Sequence, residues 1–116
     1  MAGLLNILKI IAALGTVATG LLSLFKPTAV YEFTGLRAEG GRGITEIRSI
    51  LGAFFVGLGV MALYFRSPQP YAMLGVTYLL VGVVRLISMF VDDSVVQSNI
   101  ISVIVEIVFG VILVIP

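Results

Sequence analysis

Four apolar stretches, each of about 20 residues, constrain this chain more than any other feature. They cover residues 4–25, 47–65, 71–90 and 98–115. A helix rises about 1.5 Å per residue and the hydrocarbon core of a bilayer is about 30 Å thick, so each stretch is long enough to cross a membrane. Only 11% of the residues are charged, against roughly a quarter in a soluble domain. We therefore predict an all-α fold, a membrane-spanning antiparallel four-helix bundle that forms a single domain over residues 1–116.

The ends of the stretches carry helix-breaking or polar residues. Residues 66–70 contain two prolines between the second and third stretches, and residues 92–94 form an acidic turn before the fourth. Lys9 lies inside the first stretch, where its long stem can carry the ammonium back to the interface. A cleaved secretory signal is the alternative for this stretch, but its apolar run is longer than a signal core. We expect a mature helix.

The longest polar segment, residues 26–45, separates the first two stretches. Pro27 and Gly35 suit the start and the end of a short interfacial helix. The glycine-rich part that follows, residues 38–43, predicts a flexible link, and Thr45 is placed to cap the second membrane helix.

Small residues recur along the predicted helices at spacings that let helix backbones approach closely. Ala53 and Gly57 are four residues apart, and heptad steps separate Gly52 from Gly59 and Gly75 from Gly82. Close packing within the bundle and a surface for another subunit both remain open.

Six ionisable residues lie inside or at the edge of the spans: Glu46, Arg48, Arg85, Asp92, Asp93 and Glu106. An antiparallel topology brings all six to one membrane face. Arg85 lies about 8 Å inside the end of the third span and Glu106 about 12 Å inside the start of the fourth. Isolated charges at such depth are costly. We therefore predict that Arg85 pairs with Glu106, with Arg48 joining from the second span and Glu46 nearer the water.

Three interpretations of this polar cluster compete. It is a structural ion pair that fixes helix register, or a polar pocket on a substrate or proton path, or a pair of arginines, Arg48 and Arg85, that grip lipid phosphates. Glu106 argues against the third interpretation, because a carboxylate in the fourth span lies too deep to meet head groups.

Several classes of function are disfavoured by composition. Seven basic and six acidic residues give a net charge of +1, which provides no basic face for nucleic acid. The sequence contains neither His nor Cys, so thiol chemistry, the usual zinc sites and imidazole acid-base groups are missing. We expect no cofactor, no metal and no enzymatic activity. Two functions remain: a non-catalytic protein that forms oligomers or serves as an accessory subunit of a larger membrane complex, or a carrier or binding protein for a small molecule, lipid or proton that uses Glu106 and Arg85.

The run from Glu46 to Gly52, together with Arg85, the acidic turn at Asp92 and Asp93, and Glu106, resembles small bacterial four-helix integral membrane proteins of unknown function, of the type called domain of unknown function 4345. The resemblance implies four helices. It implies no substrate and no catalytic residue. We also expect the chain to lie in a bacterial inner membrane, with membrane lipids as partners. The excess of Lys and Arg near the long first loop favours a cytoplasmic location for that loop.

Overall fold

A computed structural model of the chain describes residues 2–116. The described residues form helices joined by short turns and contain no strand. Among the described residues, four helices are long and apolar enough to cross a membrane: α1 (Ala2–Phe25), a continuous helix over Gly40–Phe65, α5 (Pro68–Val91) and α6 (Gln97–Val114). The predicted all-α fold with four membrane-length helices is confirmed. Both prolines of the second loop lie in the first turn of α5, where a missing N–H costs no hydrogen bond.

The segment after α1 begins as predicted. A 3₁₀ turn at Pro27–Ala29 leads into the short helix α2 (Val30–Thr34), which ends at Gly35 in the left-handed conformation, with φ of 72°. The next part of the prediction is wrong from Gly40 onward, where the glycine-rich segment is helical. Helix α3 (Gly40–Glu46) continues through a π-helical stretch (Ile47–Phe54) into α4 (Phe55–Phe65).

The early start of this second membrane helix also corrects the expected cap. Thr45 lies inside the helix, and its hydroxyl donates a hydrogen bond to the carbonyl of Gly41. The chain enters the helix at Gly40, whose φ of 66° suits glycine. The 26 residues of Gly40–Phe65 span about 39 Å at 1.5 Å per residue, more than the hydrocarbon thickness of about 30 Å. A helix of this length crosses the apolar core with a tilt or extends past it.

The chain divides into two compact units. One is Ile11–Phe65, and the other is Arg66–Pro116 together with the start of α1 up to Ile10. Within the Ile11–Phe65 unit, α1 and the second membrane helix run antiparallel in close contact at glycines. A Cβ added at Gly20 would lie 2.7 Å from the backbone nitrogen of Val56, and one at Gly59 would lie 2.8 Å from the carbonyl oxygen of Ala13. These glycines therefore serve packing within the unit.

The Arg66–Pro116 unit is built on the antiparallel pair α5 and α6. Gly75 faces Gly110, where an added Cβ would lie 2.9 Å from the carbonyl oxygen of the other glycine. Further along the pair, Gly82 faces Ile107. The turn between the helices contains Asp93 with φ of 51°. This hairpin brings the predicted charged residues of the third and fourth spans together.

Candidate functional site

Arg85 of α5 and Glu106 of α6 form a two-pronged ion pair. Nε of Arg85 donates to Oε1 of Glu106 at 2.8 Å, and Nη2 donates to Oε2 at 2.9 Å. The flat guanidinium matches the carboxylate in this geometry, so both oxygens receive a charge-assisted hydrogen bond. The side chains are 30% and 12% exposed, respectively. Both oxygens of the largely enclosed carboxylate thus accept a hydrogen bond from the same cation.

Asn99 completes the network, and sequence reasoning missed it. Its Oδ1 accepts a hydrogen bond from Nη1 of Arg85 at 3.1 Å, while its Nδ2 donates to the carbonyl of Ser94 at 2.9 Å. Asn99 precedes Glu106 by a heptad, which places both on one face of α6. This seven-residue spacing is the sequence feature that could have identified Asn99 as a neighbour of the ion pair. The amide ties the ion pair to the turn that joins the two helices.

The other predicted site residues lie elsewhere. Asp92 accepts a hydrogen bond from the hydroxyl of Ser88, one turn earlier on α5. Asp93, in the left-handed region, shapes the turn. Glu46 pairs with Arg42, four residues before it on the exposed side of α3.

Arg48 lies in the π-helical stretch and is exposed. Glu46 and Arg48 belong to the Ile11–Phe65 unit, whereas Arg85 and Glu106 belong to the other unit. The proposed joining of Arg48 to the Arg85 network therefore stays a prediction.

A groove of about 430 Å³ lies beside the ion pair on α5 and α6. We call it the α5–α6 groove, and it is lined by Leu80, Val81, Val84, Arg85, Ser88 and Asn99. The apolar residues lie toward the middle of α5 and the polar residues toward the ends of the two helices. The groove therefore combines a polar end with an apolar wall.

Lys9 is a buried cation in the same unit. It is only 4% exposed and donates a hydrogen bond to the carbonyl of Ile115 at the end of α6. Its ammonium also lies 5.4 Å from the ring centre of Tyr71, within the range of a cation–π interaction. A helix C-terminus favours a nearby positive charge. Lys9 thus binds protein groups at a helix end, where the sequence predicted that it would reach the interface.

Metal-binding clusters are not found in the part of the chain that the structure describes: no three acidic side chains there lie close enough to share an ion. Within the site, Arg85 and Glu106 neutralise each other.

Comparison with known proteins gives one match. No curated protein and no solved structure is significantly similar to the chain. The model of a family described as a domain of unknown function (DUF4345) matches residues 4–115, nearly the whole sequence. Its extent includes all four membrane-length helices and the Arg85–Glu106 pair. The chain therefore belongs to the DUF4345 family.

Proposed function

We propose that this protein is a small non-catalytic integral membrane protein that acts by association, either as an oligomer or as an accessory subunit of a larger membrane complex. The observation behind the proposal is that Arg85 and Glu106 pair with each other through two hydrogen bonds. Both carboxylate oxygens accept hydrogen bonds from one guanidinium, so the charge of Glu106 is compensated by a residue of the neighbouring helix. A partly buried ion pair between two helices is suited to holding them in register.

An exposed small-residue surface supports association. Ala53 and Gly57 are exposed on the second membrane helix, and a Cβ added at Gly57 would meet nothing within 4 Å. By contrast, Gly20, Gly52 and Gly59 are in close contact inside their own unit. Helices associate in lipid where small residues allow close backbone approach. The Ala53–Gly57 surface thus offers another membrane helix a place to pack.

Copurification tests the proposal. The tagged chain, extracted from native membranes in a mild detergent, is expected to elute as an oligomer or with a stoichiometric membrane partner. Gly57→Leu should disrupt that assembly, whereas Val83→Leu, an exposed change on α5, should leave it intact. A wild-type chain that elutes as a partner-free monomer, from detergent and from lipid nanodiscs alike, would contradict the proposal.

The proposal includes a location in a bacterial inner membrane with residues 26–45 on the cytoplasmic side. Single cysteines placed at Gly41 and Gln69 test this orientation with an impermeant thiol reagent. The Gly41 site should react only from the cytoplasmic side and the Gln69 site only from the opposite side. The reverse pattern would refute the orientation and leave the association proposal untouched.

A second candidate is a carrier or binding protein for a small molecule, lipid or proton. The observation that favours it is the α5–α6 groove beside Arg85. If Glu106 takes up a proton during this function, Glu106→Gln should abolish the pH dependence of ligand binding while the fold persists. Unchanged pH dependence in that variant would remove Glu106 from the role.

A further inference from the structure

The α5–α6 groove has a gradient of polarity along α5. Ser88 lies three residues before the end of α5 at Val91, about 4.5 Å along the helix axis, whereas Leu80 lies about 16 Å from that end. In a membrane, Ser88 is near the lipid head groups and Leu80 is within the hydrocarbon. The groove is therefore polar where a lipid is polar and apolar where a lipid is apolar. Its volume of about 430 Å³ falls in the usual range of ligand pockets, roughly 300–1,000 Å³.

The polar end of the groove offers both donors and acceptors. A guanidinium has five N–H donors, and described residues accept from three of those of Arg85, which leaves two. The hydroxyl of Ser88 donates a hydrogen bond to Asp92, so the serine oxygen and the carboxylate can accept from a ligand. One head group can therefore meet a donor site at Arg85 and an acceptor site one turn further on.

The charges at this end select the kind of head group. The positive charge of Arg85 is balanced by Glu106, and Asp92 adds a negative charge that Ser88 does not neutralise. A head group with only negative charge would be repelled by this excess. A zwitterion meets the pattern, because its phosphate accepts from Arg85 while its cation lies toward Asp92.

We propose that the α5–α6 groove binds a zwitterionic phospholipid whose head group ends in a primary ammonium. The phosphate lies at Arg85, the ammonium at Ser88 and Asp92, and one acyl chain along Leu80, Val81 and Val84. This inference rests on the second candidate function, and it names the class of ligand. It does not depend on the subunit role.

Lipid binding to the delipidated full chain in detergent, measured by native mass spectrometry, tests the ligand class. Phosphatidylethanolamine is expected to bind about tenfold more tightly than phosphatidylcholine, whose quaternary ammonium has no N–H, and than anionic phosphatidylglycerol. Glycerophosphoethanolamine, which lacks acyl chains, is expected not to bind.

Two matched pairs of variants locate the site. Asp92→Asn should abolish the preference for phosphatidylethanolamine, whereas the adjacent Asp93→Asn should retain it. Val84→Trp should weaken binding of every lipid by filling the groove, whereas Val83→Trp, also exposed on α5 but outside the lining, should not. Far-UV circular dichroism checks that the variants keep their helices, and Leu80→Phe replaces Val84→Trp if that variant unfolds.

The outcomes separate the inference from the candidate function on which it rests. Equal binding of all three lipids, with sensitivity to Val84→Trp, overturns the choice of head group and keeps a binding function. A preference that survives Asp92→Asn overturns the ammonium position. If no lipid binds saturably, the inference is overturned, and lipids are removed from the possible ligands of the second candidate function.

Discussion

The Arg85–Glu106 pair gives the sharpest prediction for stability. Glu106→Gln keeps the shape of the side chain but removes its charge, so Arg85 loses its counter-ion. Arg85→Leu removes the cation and leaves the Glu106 carboxylate, 12% exposed at its side chain, without a partner. The double variant leaves neither charge stranded. The free energies of unfolding of these proteins should therefore not add.

The expected size follows from the geometry and the exposure. Removing one partner of a fully buried pair costs about 3–5 kcal/mol. Arg85 is 30% exposed at its side chain, so stranding it should cost less, about 2 kcal/mol, and stranding the more enclosed carboxylate about 3 kcal/mol. The double variant should lose only about 2 kcal/mol, which gives a coupling energy of about 3 kcal/mol. The hydrogen bond from Arg85 to Asn99 is lost in both the Leu single and the double variant, so it cancels from the cycle.

Equilibrium unfolding in mixed micelles, followed by far-UV circular dichroism, measures these four free energies. The chain supplies a matched control in the exposed pair of Arg42 and Glu46, for which the same substitutions should show little or no coupling because solvent screens the two charges. Independent sites give a coupling energy below about 0.5 kcal/mol, and Arg85 and Glu106 could show the same. That result would refute the argument that the two charges stabilise the hairpin together.

Three further predictions follow from the packing and the polar contacts. Gly59→Ala should destabilise the protein by about 1–3 kcal/mol, because the new methyl would overlap a backbone carbonyl 2.8 Å away. Gly57→Ala should be close to neutral in the same unfolding assay, and equal effects of the two substitutions would contradict the packing. A water-soluble acylating reagent should modify the exposed Lys26 much faster than Lys9, which is 4% exposed, as read by peptide mass spectrometry, and equal rates would contradict the burial of Lys9. Asn99→Leu should cost about 1 kcal/mol by removing the hydrogen bonds to the guanidinium and to the turn, and unchanged stability would remove the amide from the network.

The sequence was sufficient for features that depend on simple geometry. Membrane thickness sets the length of an apolar helix, so the four helices could be located from hydropathy alone. The pairing of Arg85 with Glu106 was expected from their similar depths, and the structure places their atoms 2.8 and 2.9 Å apart. Both arguments needed only the rise per residue and an antiparallel turn.

The start of the second membrane helix and the partner of Lys9 were missed. The local sequence around Gly40 favours a flexible link, because glycine has low helix propensity, yet the helix starts there. An i,i+4 ion pair between Arg42 and Glu46 supports that first part of the helix. The contact of Lys9 with Ile115 joins residues 106 positions apart. No local pattern in the sequence predicts such a contact.

Glycine packing and the ion pair have complementary roles in the α5–α6 hairpin. Gly75 and Gly82 are a heptad apart, so close packing by small residues alone would tolerate a slip of about 10.5 Å between the helices. In the observed register, Gly75 meets Gly110 while Arg85 meets both Glu106 and Asn99. A slip by one heptad would still bring a glycine of α5 close to α6. It would also separate Arg85 from Glu106 by about 10.5 Å and leave both charges without a partner in an apolar environment. The glycines thus permit close approach in more than one register, and the charged network selects one of them.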